Sequence, residues 1–284
     1  MPANAAPSRA VLITGCSSGI GAATARHLAG LGWTVYATAR RLDSLAPLAA
    51  AGCRTLALDV TDEDSMRAAV TAVEDEHGAV GVLVNNAGYS QTGAIESVPL
   101  DQVRAQFETN VFGLVRMCQL VLPRMRAQGW GRIVNLSSMG GRFTFPGGGH
   151  YHASKYAVEA ISDALRFEVR RFGVDVVIIE PGLILTGFGE HARAGAAGEG
   201  PYAAFEAAVA QAYVDVYEKG PMRRLGGPPE AVARRIAKAI TATRPRARYT
   251  VTASARALIA QKALLPDAGW DAVMRTTFPQ PGPE

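Results

Sequence analysis

Seven short runs of mainly apolar residues recur along the chain, and longer helix-like segments separate them. The runs are AVLIT (10–14), TVYATA (34–39), RTLALDV (54–60), VGVLVNNAG (80–88), GRIVNLSS (131–138), VDVVIIEPG (174–182) and RYTVT (248–252). A strand with one face in water alternates apolar and polar residues, whereas a near-continuous apolar strand is covered on both faces. The pattern therefore predicts an α/β fold, a doubly wound parallel seven-stranded sheet with helices on both sides.

Punctuation between the runs supports that reading. Thr61 stands before DEDSMRAAV as the expected N-cap, with acids in the first turn, and Gly30 and Gly32 close the first helix. Six of the runs fall within the first 182 residues. Between Pro181 and Pro229 the pattern breaks into a small-residue-rich, partly helical stretch. A long excursion beyond the C-terminal end of the sixth strand lies where ligands bind in such sheets, so residues 187–228 are read as a substrate lid. After the seventh run, residues 253–278 carry apolar positions at helical spacing and form an expected C-terminal extension. Three roles are open to it: a cap on the pocket, a dimer contact, or a weakly amphipathic membrane-surface segment. Residues 1–284 read as a single dinucleotide-binding catalytic domain without internal repeats, and residues 1–8 and the tail PQPGPE look disordered.

Composition narrows the class. Of 284 residues, 48% are hydrophobic, enough for a sizeable core. The formal charge of +4 is spread among acidic residues, with no basic cluster longer than pairs such as Arg40-Arg41 and Arg223-Arg224, which argues against a nucleic-acid partner. Cys16, Cys53 and Cys118 have neither disulfide nor zinc spacing, and His77, His150 and His191 show no ligand pattern, so no metal is expected. With no signal-like segment and no apolar run of about 18 residues, neither secretion nor a membrane span is expected and the cytoplasm is the expected location.

TGCSSGIG (14–21) directly follows the first run and opens a helix. In that context Gly15 permits a tight turn, Gly19 lets the backbone approach a pyrophosphate and Gly21 lets the helix pack on the sheet, while Ser17, Ser18 and Ile20 bring their amides to the phosphates. Cys16 within this loop reads as a small buried filler. An acid at the end of the second strand would select NAD; this chain has Arg40 and Arg41 there, and Asp43 falls beyond them. A guanidinium suits a 2′-phosphate, so NADP(H) is expected, with Arg40 as the principal clamp and Ser18 assisting. Asp59, followed by Val60, ends the third run and either accepts from the adenine amino group or caps the next helix.

Tyr151 and Lys155 are i and i+4 in YHASKYAVEAISDALRFEVRRF, which places both on one face if the stretch is helical. Lys155 is the first lysine in a chain that has used twelve arginines before it. A free phenol has a pKa of about 10, and an adjacent ammonium favours the phenolate. A compact ammonium also carries three donors for ribose hydroxyls, which arginine's planar fork does not reproduce.

Six motifs, TGCSSGIG, NNAG (85–88), Asn110 in FETNVFG, Ser138 in GRIVNLSS, YHASK and PGLILT (181–186), occur in the order and approximate spacing of the short-chain dehydrogenase/reductase family. The chain resembles that family over about residues 8–186, most closely its NADP-preferring single-domain branch with hydroxysteroid and retinol dehydrogenases. The resemblance implies a Rossmann-type fold and a tetrad of Asn110, Ser138, Tyr151 and Lys155. Tyr151 would be the acid in ketone reduction and the base in alcohol oxidation, and Ser138, chosen over Ser137 by its spacing to Tyr151, would position the substrate oxygen. Lys155 would lower the Tyr151 pKa and hold the nicotinamide ribose, and Asn110 would anchor a water in a proton relay. Asn86, Ala87 and Gly88 would line the cofactor channel, with Asn86 equally readable as a brace for the central strands. Pro181, Gly182, Ile184 and Thr186 would lie by the nicotinamide.

The implied activity is NADP(H)-dependent interconversion of a ketone or aldehyde and an alcohol. Tyr89, Phe145 and Phe188, with further aromatics in the lid, point to a lipophilic substrate. The alternatives are a reductase of small 3-oxoacyl ketones and a non-catalytic NADP-binding sensor, the latter having no use for Tyr151 or Ser138. His150 and His152 are expected at the pocket wall, Glu180 is expected to be structural, and a homo-oligomer, dimer or tetramer, is open because the extension departs from shorter relatives.

Overall fold

The computed structural model describes residues 6–185, 200–218 and 221–282. Its strands are β1 (Val11–Ile13), β2 (Val35–Ala39), β3 (Arg54–Ala57), β4 (Val82–Asn85), β5 (Gly131–Leu136), β6 (Val174–Pro181) and β7 (Arg248–Val251). All seven runs are strands, paired in parallel in the order β3-β2-β1-β4-β5-β6-β7. The sequence order reverses between β1 and β4, which opens a crevice at their C-terminal ends.

Burial follows position in the sheet. Strands β1, β2, β4, β5 and β6 are buried at every residue, while edge strand β3 is exposed or half-buried and edge strand β7 alternates. Helices α1 (Gly19–Gly30) and α8 (Pro229–Thr241) cover one face, contributing Ala25, Leu28, Val232 and Ile236 to its core. Helices α3 (Glu63–His77), α5 (Gly113–Gln128) and α6 (Gly149–Val169) cover the other with Val73, Met117, Val121 and Val158. Each large aliphatic side chain so enclosed contributes roughly 1.5–3 kcal/mol by leaving water.

The short α2 (Ala46–Ala49) and the helix α4 (Leu100–Phe107) complete the first half of the chain. Beyond β6 lie α7 (Ala203–Glu218), then α8, β7, α9 (Ala253–Leu264) and α10 (Asp267–Arg275). The expected C-terminal extension is thus two helices. The N-cap of α3 is Asp62, not Thr61: the Asp62 carboxylate accepts from the amides of Asp64 and Ser65, while Thr61 is turned back to donate to Asp59. Among the described residues no helix is long and apolar enough to cross a membrane.

Candidate active site

The glycine loop leaves β1 and enters α1 in a space that side chains would fill. Gly15 has φ +72°, and a Cβ there would lie 2.9 Å from the Ala87 Cα; at Gly21 a Cβ would run into the Gly15 carbonyl and come within 2.6 Å of the Asn86 Nδ2. Gly19 also has positive φ, +58°. Two polar residues lock this loop to the end of β4. The Thr14 hydroxyl accepts from the Asn86 and Ala87 amides, both at 3.0 Å, and Asn86 Nδ2 donates to the Thr14 and Gly15 carbonyls, both at 2.9 Å. Asn86 therefore braces the loop. Ser18 occupies the N-cap of α1 without making a capping bond, and the first turn holds no acid. The leading amides of α1 are thus left for an anion, with the positive end of the helix dipole behind them. Ser17 and Ser18 are exposed beside them, while the side chain of Ile20 packs on the core.

Across the crevice, β5 ends in Ser137 and Ser138, and α6 brings Tyr151 and Lys155 to one face. Ser138 hydrogen-bonds with the Tyr151 phenol and accepts from the Gly140 amide at 3.1 Å, whereas Ser137 faces Glu159. Lys155 is only 6% exposed; its Nζ donates to the Leu136 carbonyl at 2.8 Å and lies 5.9 Å from the Tyr151 ring centre. Burial dictates the proton affinities. It raises the Tyr151 pKa above its usual value against the opposing Ser138 hydrogen bond, and it lowers that of Lys155 to about 8 against the pull of Glu159. For Tyr151 burial is the largest influence, and burial also weakens the Lys155 ammonium expected to favour the phenolate.

Asn110 reaches this centre from a π-helical turn, Glu108–Phe112, between α4 and α5. Such turns interrupt the regular ladder and frequently occur at functional sites. Its Nδ2 donates to the Tyr89 carbonyl at 2.9 Å and to Ser154 Oγ at 3.0 Å, and its Oδ1 accepts from the Tyr89 amide at 3.0 Å. Both side-chain protons of Asn110 are therefore committed within the protein. Gly88 lies directly above: a Cβ there would be 3.0 Å from Asn110 Oδ1 and 3.7 Å from Lys155 Nζ.

Arg40 is exposed immediately after β2, and its charge reaches Tyr89, itself 37% exposed, across the crevice. Among the described residues no carboxylate pairs with Arg40, whereas Arg41 lies 4.0 Å from Asp43. Asp59 Oδ1 is occupied by the amide and hydroxyl of Thr61 at 3.0 and 2.8 Å. The Val60 side chain is buried in the core, with Gly113 packed on it. At the far end, Pro181 closes β6 and the Gly182 amide bonds to the Val251 carbonyl at 3.1 Å. The Ile184 side chain is buried in the core, and the hydrogen bonds of its bridge to Gly227 run through Leu183 and Leu185. Thr186, Phe188 and His191 lie outside the described residues.

Phe145 stands in an aromatic chain that runs from the phenol to the C-terminus. Ring centres are 5.5 Å apart for Tyr151 and His152, 5.7 Å for His152 and Phe145, and 6.1 Å for Phe145 and Phe278. Phe143 and Trp270 pack beside it at 5.3 Å. The C-terminal extension therefore lies against the 139–145 loop. His152 is 3% exposed, its Nδ1 bonds to the Gly140 carbonyl at 3.0 Å, and burial lowers its pKa to about 4, so it is a neutral wall residue. His150 is half-buried beside it. Glu180 is structural: it pairs with Arg142 at 2.9 Å and accepts from Thr250 at 2.7 Å. Cys16 is a buried filler whose thiol is pushed up to about 12 by burial. No cluster suited to a metal ion occurs among the described residues.

Glu159, Glu206, Trp270 and Phe278 were not singled out from the sequence. Glu206 of α7 accepts from the Ala94 amide at 2.9 Å and from Ser97 Oγ, tying that helix to the loop after β4. Nothing local announces such a pairing 112 residues away. Glu159 had a readable signal, its i+4 spacing from Lys155.

A phenol, a serine hydroxyl and a buried ammonium converging across the crevice from a glycine loop suit proton exchange at a CH–OH or C=O carbon, which makes the molecule an α/β oxidoreductase. The profile of the short chain dehydrogenase family matches residues 9–197, and the chain belongs to that family. It is 45% identical over 179 residues to a 3-ketodihydrosphingosine reductase of Bacteroides thetaiotaomicron, an alignment covering 63% of this chain and 65% of that one, just under two thirds of the relative's length. An NADPH-dependent 3-dehydrocapnine reductase of Ornithobacterium rhinotracheale is 35% identical over 93% of this chain and 95% of its own. Among solved structures, a short-chain dehydrogenase from Streptomyces avermitilis superposes with a TM-score of 0.73 at 33% identity, covering 96% of this chain and 99% of that one.

Proposed function

We propose that the protein is an NADP(H)-dependent oxidoreductase that interconverts a ketone or aldehyde and an alcohol on a lipophilic substrate. The observation that carries this reading is the Tyr151 phenol, held by Ser138 one turn from the buried Lys155. The glycine cradle and the uncapped N-terminus of α1 fit a pyrophosphate, and Lys155, with two ammonium protons beyond the one given to Leu136, fits ribose hydroxyls. When bound, the nicotinamide supplies or accepts the hydride.

The chain does the rest. Ser138 Oγ holds the substrate oxygen, and Tyr151 Oη gives that oxygen its proton as the carbonyl is reduced, or takes it back in oxidation. Burial raises the Tyr151 pKa and so favours the protonated phenol that the acid role uses. Arg40, without a carboxylate partner among the described residues, is the clamp for a 2′-phosphate. Replacement of Arg40 by Ala raises KM for NADPH far more than for NADH; equal effects on the two would remove that assignment.

The aromatic chain of His152, Phe145 and Phe278 supports an apolar substrate, as do relatives named for reducing 3-ketodihydrosphingosine and 3-dehydrocapnine. NADPH consumption with 3-ketodihydrosphingosine and a series of 3-oxoacyl ketones of decreasing length tests the reading. The expected result is turnover that falls steeply as the chain shortens. Preference for the shortest ketones would favour a small-acyl reductase instead.

A further inference from the structure

We propose that Glu159 is a positioning residue for this reaction: its buried carboxylate, one helical turn behind Lys155, keeps the Lys155 ammonium charged and thereby sets the alkaline limit of activity. The role in activity rests on the function proposed above.

Lys155 and Glu159 are i and i+4 on α6, and each is only 6% exposed. Among the described residues Lys155 has one hydrogen-bonded partner, the Leu136 carbonyl, which carries no formal charge. An ammonium taken from water and given only neutral partners loses its proton readily. Burial already brings Lys155 down to about 8, and Glu159 is the charge that opposes it. A neutral lysine would keep two of its three donors and lose the positive charge that favours the phenolate.

The carboxylate must itself stay ionised in the same interior, and the surrounding elements provide for that. From β7, Arg248 Nε donates to Glu159 Oε2 at 3.0 Å, and from the end of β5 the Ser137 hydroxyl also stabilises the charged form. Burial is the largest influence and, with Glu180 of β6, leaves the Glu159 pKa above its usual value, so Ser137 and Arg248 offset that rise only in part. Glu180 is neutralised in turn by Arg142 at 2.9 Å and by Arg248 at 3.5 Å. Arg248 continues to Asp163 at 2.6 Å, and Asp163 to Arg166 at 2.9 Å, both toward the surface. Charges therefore alternate from the active site outward, Lys155, Glu159, Arg248, then Glu180 and Asp163. Gly141 permits this packing, since a Cβ there would lie 3.0 Å from Glu159 Cγ and 3.1 Å from the Lys155 carbonyl.

The chain holds only four lysines, 155, 219, 238 and 262, so their ¹³Cε resonances can be followed individually. The test is a titration of the Lys155 Cε shift in wild type, Glu159→Gln and Glu159→Asp, without substrate. The wild-type midpoint is expected near 8. Glu159→Gln, which removes the carboxylate, lowers it by about one unit, and Glu159→Asp, which withdraws the charge by one methylene, gives an intermediate value. In kcat/KM against pH, the alkaline limb moves down by the same amount and acid-side activity is kept. A Gln midpoint equal to or above wild type overturns the proposal, as does a loss of activity uniform in pH, which a merely structural role produces. If Glu159→Gln does not fold, the Asp variant decides alone: a midpoint below wild type supports the proposal, and one at or above it overturns it. Because the titration needs no turnover, shifted midpoints in a protein that reduces no ketone would sink the proposed function and leave the Lys155–Glu159 coupling standing.

Discussion

Helices α1 and α3 both begin beyond the C-terminal end of a parallel strand in the same sheet, and their first turns are built in opposite ways. At α3, Asp62 accepts two backbone amides and Glu63 and Asp64 follow, so the helix end is satisfied from within the chain. At α1, Ser18 makes no cap, no acid follows, and Gly15 and Gly21 let the loop pack tightly on Asn86 and Ala87 at the end of β4. Capping α3 lowers the energy of the fold by about 1 kcal/mol, whereas the uncapped α1 leaves its leading amides to solvent or to an anion brought from outside. The contrast separates a helix end satisfied within the chain from one that the proposed function assigns to binding.

Three substitutions probe that contrast. Gly21→Val drives a side chain into the Gly15 carbonyl and Asn86, and is expected to weaken NADPH binding on the order of 100-fold, about 2.7 kcal/mol, by fluorescence titration. Ser18→Asp makes α1 resemble α3: NADPH affinity is expected to fall about tenfold while the melting temperature rises, since the new carboxylate caps the helix and repels a phosphate. An unchanged affinity would mean that the phosphates lie elsewhere. Asp62→Ala costs about 1 kcal/mol of stability in urea unfolding and leaves NADPH affinity as it was.

How far the sequence alone revealed this follows the range of the interactions. The five inner strands could be read because burial on both faces leaves a contiguous apolar signature that needs no knowledge of the neighbours, and the edge strands β3 and β7 because their short apolar runs stand between helix-like segments. The glycine loop, Ser138, Tyr151 and Lys155 could be read because each belongs to a short ordered motif. Thr61 was mistaken for the α3 cap because Thr and Asp are both competent caps, and one residue of register decides between them. The side chains of Val60 and Ile184 pack into the core, because position in a motif specifies where the backbone runs and not which way a side chain turns. Trp270 and Phe278, which meet the 139–145 loop from the other end of the chain, and Glu206, which holds the loop after β4, depend on tertiary packing and leave no local mark.

The proton affinities belong to the same category. Spacing shows that Tyr151 and Lys155 share a helix face, but burial determines that the phenol is held protonated and the ammonium weakened.

The most direct test of the account replaces Tyr151 by Phe and follows NADPH oxidation with whichever ketone the wild type reduces, NADPH affinity being measured in parallel by fluorescence. The account predicts affinity within about twofold of wild type and kcat lower by roughly 10²–10⁴, the usual contribution of a positioned acid. Turnover close to that of the wild type would contradict it.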